Sequence, residues 1–342
     1  MKKLIGNRNV GKSLARLIAA ERVPNAFIFA GPVGVGKKQF ALELARSLVC
    51  LACKLGYACG DCAACKRVGE FTLPTTEKAD DYKRVFLSQH PDVGLVIPYK
   101  RNLQVDAIRA LEVEAHFRPF EANARVFIVD DADKMTDAAS NALLKTLEEP
   151  AATSHIILIT SRVDKLLPTI RSRSQMIHFG PAPFDEIESY LTGTGHFSPE
   201  DAALAARASG GSVGRALEFV PASFRTQRSL MLEVLNAAVA GNHRVLLSAS
   251  EEMADPKFKE DYEDKLAVLQ DMIHDVWLLR NGVDRNEILN LEIAAELEQL
   301  ASVVGSAELA AWINEIETMR GNLIVNLNRK VATDALLIKM AA

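Results

Sequence analysis

An apolar strand, a glycine-rich turn and a helix follow one another between residues 25 and 48, and that succession restricts the chain more than anything else in it. NAFIFA (25–30) has no charge and reads as a buried strand, and GPVGVGKK (31–38) follows it directly. Phe40, Leu44 and Leu48 then recur at helical spacing. A strand feeding a glycine-rich turn into a helix start is the arrangement whose backbone N–H groups wrap phosphates, and it belongs to parallel α/β sheets.

A second segment, GNRNVGKS (Gly6 to Ser13), matches the phosphate-loop pattern letter for letter, whereas Gly31 to Lys38 misses its last position. The surrounding residues reverse that ranking. Only five residues precede Gly6 and two of them are lysines, so no strand leads into that loop, and Lys12 reads as a solvated helix lysine. Nucleotide contacts are therefore expected from Gly31, Gly34, Gly36, Lys37 and Lys38. Lys38 stands where a Ser/Thr hydroxyl normally coordinates Mg²⁺. Its ammonium repels a divalent cation by an amount on the order of several kcal/mol unless it swings away. The loop is expected to hold ATP, if at all, through Lys37, and to serve Mg²⁺-assisted hydrolysis poorly.

RVFIVD (125–130) is a second strand, a helix over 137–149 is stopped by Pro150, and IILIT (156–160) is a third strand. Val105, Ile108 and Leu111 recur at helical spacing before them, so strands alternate with helices as in a parallel sheet covered on both faces. Asp130 and Asp131 end the second strand, where open sheets present their ligand side. In a P-loop ATPase the first acid holds Mg²⁺ and the next, usually Glu, orients the attacking water. Asp131 is a methylene shorter, which makes it a weak catalytic candidate. The same residues also fit an acidic strand-to-helix turn with Asp133 as its cap. Thr160, at the end of IILIT, can reach a γ-phosphate or simply end its strand. TIRSRS (169–174) is dense in guanidinium groups, suited either to local ion pairs or to a neighbour's phosphate.

Five cysteines fall between Cys50 and Cys65. Cys59, Cys62 and Cys65 are spaced as two CxxC turns, and Cys50 completes four thiolates, the donor set of a closed, structural Zn²⁺ site; the rival, an iron–sulfur cluster or redox pair, has nothing nearby that suggests electron transfer. Cys53 is spare, although it forms a CxxC with Cys50. Residues 69–90 are polar without a period and read as a loop or insertion.

After Phe179 the texture changes. GPAPF (180–184) reads as a hinge, short helical stretches run to Gly210-Gly211, and from about residue 223 the chain is helix-patterned throughout. Leu266, Leu269, Ile273, Val276 and Trp277 make one apolar stripe, and Leu309, Trp312, Ile313 and Ile316 another. The expected domains are 1–179, 180–222 and 223–342. At 49% hydrophobic and 25% charged, the chain has ample core for a globular fold. A net charge of −4 argues against a protein that grips nucleic acid alone. No apolar run reaches membrane-spanning length and the start lacks a signal-peptide core, so a cytoplasmic location without membrane contact is expected.

Taken together, GPVGVGKK, the Cys50/59/62/65 knuckle, HPD (90–92), Val105-x-x-Ile108-Arg109-x-Leu111, VDDADKMTDAASNALLKTLEEP (129–150) and LPTIRSRS (167–174) resemble the bacterial AAA+ clamp-loader family, most closely its delta-prime type in DNA polymerase III. The resemblance runs through most of residues 1–220, and Lys134 to Pro150 is its most specific stretch. It implies a fold with a RecA-like P-loop module, a small helical lid and a C-terminal all-helical collar domain. It also implies a hetero-pentameric ring with ATPase motor subunits and a delta subunit, which loads a sliding clamp onto primed DNA during replication. The delta-prime type acts in that ring largely as a stator, offering the arginine of a Ser-Arg-Cys motif to a neighbour's ATP site. Here the motif reads Ser172-Arg173-Ser174, so Arg173 takes the finger role and the cysteine is absent. Arg215, in GSVGR, lies near the family's second sensor arginine but with one extra residue. An active ATPase motor of the same loader is the alternative reading. A P-loop kinase for a small metabolite is a third, which leaves the knuckle, the arginine loop and the helical tail unexplained.

Overall fold

The computed structural model describes residues 4–75, 78–255, 261–323 and 328–341, and the chain divides into two compact units, Met1–Glu218 and Phe219–Ala342. In the first unit six strands form one sheet. They are β1 (Ala26–Ala30), β2 (Phe86–Leu87), β3 (Val93–Val96), β4 (Arg125–Val129), β5 (Ser154–Thr160) and β6 (Gln175–His178). Their order is β2-β3-β4-β5-β1-β6. Only the β2–β3 edge pair is antiparallel; β1 lies parallel between β5 and β6, and β3, β4 and β5 pair in parallel.

Helices cover both faces of this sheet, which is why β1, β3, β4 and β5 are buried at every position. On β1, Phe27 and Phe29 enter one core, with Leu14 of α1 (Arg8–Ala19) and Phe40 and Leu44 of α2 (Lys37–Val49). The short helix α3 (Ala63–Arg67) contributes Ala64 to the same core. Ala26, Ile28 and Ala30 point the other way, into a core with Ile108 and Leu111 of α4 (Val105–His116), Leu143 of α5 (Asp137–Glu148) and Ile170 of α6 (Pro168–Ser172). This is the expected parallel α/β arrangement, with the glycine-rich turn between β1 and α2.

Strands β2, β3 and β6 are not legible in the sequence. β3 is four residues, VGLV, and β6 has neither end buried; both are defined by pairing with distant strands. The stretch read as a loop at 69–90 contains a 3-10 turn (Ala79–Tyr82), β2 and a bridge between Phe71 and Ser88, while residues 76 and 77 lie outside the described residues. Three further helices, α7 (Phe184–Thr194), α8 (Pro199–Ala208) and α9 (Val213–Glu218), complete the first unit. A proline starts α8 and Ser198 caps it, accepting from the Asp201 N–H.

The second unit is helical throughout its described residues: α10 (Pro221–Val239), α11 (His243–Met253), α12 (Tyr262–Arg280), α13 (Ala294–Val303), α14 (Ser306–Leu323) and α15 (Arg329–Met340), with short 3-10 turns at Arg285–Glu287 and Leu291–Ile293. Leu266, Leu269, Ile273 and Val276 are buried on α12, but Trp277 is 36% exposed and stacks beside His274, because it lies about 100° further round the helix than Val276. Leu309, Trp312 and Ile316 are buried on α14. Among the described residues no helix is long and apolar enough to cross a membrane.

Candidate functional site

The turn after β1 depends on glycine. Gly34 and Gly36 have φ of +78° and +93°, a region that L side chains rarely adopt, and Gly36 caps the start of α2. A Cβ on Gly34 would lie 2.0 Å from Ser212 Oγ, and the Gly214 N–H donates to Gly34 O at 2.9 Å, so the start of α9 sits directly on the loop. The backbone N of Arg215 is there too, while its side chain is exposed. Lys37 is buried, and its Nζ donates to the carbonyls of Gly31 (2.6 Å) and Pro32 (2.5 Å). Burial lowers the Lys37 pKa, against the pull of Asp130, Asp131 and Asp133.

Each acid after β4 has a cation from its own chain. Lys38 Nζ pairs with Asp130 Oδ2 at 3.0 Å. Asp131 is in the left-handed region (φ 48°), and its carboxylate pairs with Lys134 at 2.7 Å. Asp133, whose side chain is 3% exposed, accepts from Arg162 Nε and Nη2 and from Thr160 Oγ1 at 2.7 Å. Burial works against the Asp133 carboxylate, but Thr160 and Arg162 outweigh it and its pKa is lowered. Thr160 thus turns toward Asp133. The site end of the sheet brings together Gly31, Gly34, Gly36, Lys37, Lys38, Asp130, Asp131, Thr160 and the backbone of Arg215, with the local charges already matched. Lys134 is signalled by its i,i+3 spacing from Asp131; Arg162 and the Ser212–Gly214 contact have no local signal.

The other phosphate-loop match does not form such a cradle. Residues 8–13 are the first turns of α1, Lys12 is exposed, and the Gly6 N–H donates to Glu186 Oε2 at 2.9 Å.

Arg173 lies elsewhere. It follows α6 and precedes β6, which runs parallel to β1, so it sits at the amino ends of the strands. A cleft of about 190 Å³ there is lined by Asn25, Ala26, Thr146, Ser154, Arg173 and Gln175 among others. The P-loop leaves the opposite, carboxyl end of β1, about 16 Å away at roughly 3.3 Å per strand residue. Arg173 Nη2 pairs with Glu148 at 2.9 Å, and Nη1 donates to Thr169 O.

The cysteine cluster is compact. The Sγ atoms of Cys50, Cys59, Cys62 and Cys65 all lie within 4.8 Å of one another, and three pairs are at 3.6, 4.0 and 3.9 Å. A tetrahedral ion with Zn–S bonds of about 2.3 Å requires sulfurs about 3.8 Å apart, so the four residues fit Zn²⁺. Cys53 is exposed and outside the group. Backbone N–H groups of Cys59, Cys62 and Cys65 donate to sulfurs of the cluster, as thiolates need. Burial opposes ionisation of Cys62, but N–H groups of Cys65 and Leu51 bring it down to about 6, whereas burial beside its neighbours pushes Cys65 up. Four thiols this close ionise together only around a cation. The knuckle is seated on α1: a Cβ on Gly56 would lie 1.9 Å from Ala15 O.

Residues 6–183 match the family model described as DNA polymerase III, delta subunit. The chain is 28% identical to DNA polymerase III subunit delta′ of Escherichia coli over 94% of this chain and 90% of that protein. It is 35% identical to subunit delta′ of Bacillus subtilis over 53% of this chain and 50% of that one. A solved structure described as a DNA polymerase III gamma subunit-related protein from Thermotoga maritima aligns with 96% of this chain and 98% of that one, at 17% identity and a TM-score of 0.41. With the family model matched over about half of its residues, and a delta′ relative aligned along nearly all of them, the chain belongs to the DNA polymerase III, delta subunit family.

Proposed function

We propose that the chain is a clamp-loader subunit of the DNA polymerase III holoenzyme that acts as a stator and supplies Arg173 to the ATP site of an adjacent motor subunit. The observation that carries this reading is the placement of Arg173 at the amino ends of the strands, beyond reach of its own P-loop and half exposed. Any phosphate that a guanidinium there engages is brought by another subunit, since its own P-loop is out of reach. It would stabilise charge developing on the transferred phosphoryl oxygens, an effect worth roughly 10³ to 10⁵ in rate where GTPase fingers have been measured.

The chain's own P-loop supports the same reading. Lys38 neutralises Asp130, Lys134 neutralises Asp131, and Lys37 is held by carbonyls of the loop. A motor must instead present a free acid and a hydroxyl to Mg²⁺ at each turnover. In this reading residues 1–179 are the P-loop module, 180–222 a lid, and 223–342 a collar that joins a hetero-pentameric ring with motor and delta subunits. The sliding clamp and primed DNA are met through that assembly. The Cys50/59/62/65 site would hold Zn²⁺ as a structural brace for the knuckle.

The test is the clamp- and DNA-stimulated ATP turnover of the reconstituted loader carrying Arg173→Ala or Lys37→Ala in this chain. Arg173→Ala is expected to lower turnover at least about tenfold, and Lys37→Ala to leave it near wild type. The reverse pattern would make this chain a motor.

A further inference from the structure

We infer that Glu148 is a positioning residue for Arg173, holding its guanidinium ready for the neighbour's phosphate; the inference rests on the finger role proposed above. Glu148 is the last residue of α5, fixed by buried Leu143 and Leu147 on the same helix, with Pro150 two positions on. Arg173 caps the carboxyl end of α6, which is fixed by fully buried Ile170. Two rigid elements therefore deliver the carboxylate and the guanidinium to one point, with Glu148 Oε1 2.9 Å from Arg173 Nη2.

The pair is a poor stability device, since its side chains are 38% and 51% exposed and such pairs contribute little to folding. It is well suited to orientation. Arg173 Nη1 is held by Thr169 O (3.2 Å) and Ser172 Oγ (3.4 Å), Nη2 by Glu148, and Nε has no partner among the described residues. The guanidinium plane is thus fixed through two of its nitrogens, while the single N–H of Nε and the second N–H of Nη2 remain for phosphate oxygens. An unrestrained arginine would lose the freedom of its long side chain on engaging the phosphate, and contacts already made reduce that loss. The nearest cation on the same helix does not compete, because Lys145 is paired with Glu112 of α4 at 2.9 Å.

The experiment uses the reconstituted loader with clamp and primed DNA, with Glu148→Ala, Glu148→Gln, Arg173→Ala and the Glu148→Ala/Arg173→Ala double substitution in this chain. Glu148→Ala is expected to lower kcat about threefold to tenfold with KM for ATP unchanged, because orientation acts on the transition state. Glu148→Gln, which keeps an acceptor oxygen, should recover part of that loss. The double variant should be no slower than Arg173→Ala alone, as residues acting through one group are non-additive. Turnover of Glu148→Ala at or above the wild-type rate, or losses that multiply in the double variant, would overturn the positioning role. If Arg173→Ala itself leaves turnover unchanged, the finger reading falls. If Arg173→Ala acts and Glu148→Ala does not, only the positioning role falls. Thermal melting of each variant chain separates these outcomes from misfolding.

Discussion

Replacing Asp92 with Asn should unfold the first unit more readily than any single change at its surface. Asp92 is fully buried, and its carboxylate accepts three backbone N–H groups, from Phe120 (2.8 Å) onto Oδ1 and from Glu121 and Ala122 (2.9 Å each) onto Oδ2. It also faces the fully buried Arg125, whose Nε is 3.6 Å away without a hydrogen bond. Arg125 has further partners in Glu114, whose backbone carbonyl and carboxylate both accept from it, and in the rings of Phe120 and Phe127. An asparagine accepts through one oxygen only, so its NH₂ must face at least one of those N–H donors. Each orphaned buried donor costs about 1–3 kcal/mol. Removing the charge also breaks the buried Asp92–Arg125 pair, leaving Glu114 as the guanidinium's carboxylate partner, and together these give a loss of about 3–5 kcal/mol. For a unit of this size that corresponds to a fall in Tm of roughly 6–20 °C. Urea unfolding followed by circular dichroism, alongside thermal melts, measures it. A midpoint within about 2 °C of wild type would refute the assignment of Asp92 as the anchor of the 120–122 turn.

Metal removal and pH give two further expectations. Elemental analysis should find about one zinc per chain, lost with Cys62→Ser and retained with Cys53→Ser, and the stripped chain should become protease-sensitive within 50–67 while its sheet persists; retention of metal by Cys62→Ser would exclude the four-sulfur site. His90 and His155 are both buried, and desolvation lowers both pKa values below the ordinary 6.5. The unfolded chain then binds protons before the folded one, so stability is full above about pH 7 and declines as pH falls through 6.5 toward the lowered values. His155→Phe should flatten that decline in a pH series of melts, and an unchanged slope would assign it to other groups.

Much of the site was readable in one dimension because its chemistry is local. The strand–turn–helix of residues 25–48 places Gly31 to Lys38 at a sheet end whatever the rest of the chain does, and a short loop with CxxC spacing brings sulfurs together without help from distant residues. The helical stripes of the second unit follow from periodicity alone, apart from exposed Trp277 and half-buried Ile313 at their edges. Strands β3 and β6 were not readable, since four-residue segments acquire their state from pairing with β4 and β1.

The amino-acid sequence by itself determined which groups are present: a lysine at 38 where a hydroxyl is usual, a short acid at 131, an arginine at 173 and four thiols at metal spacing. Only the tertiary structure decided their partners. Lys38 closes on Asp130 across the sheet, Arg162 on Asp133, and Gly214 on Gly34 from 180 positions away. It also set Arg173 and the P-loop at opposite ends of parallel strands. The reason is physical: covalent spacing fixes contacts within a turn or two, whereas charge pairing and the direction in which a strand runs depend on which segments pack side by side.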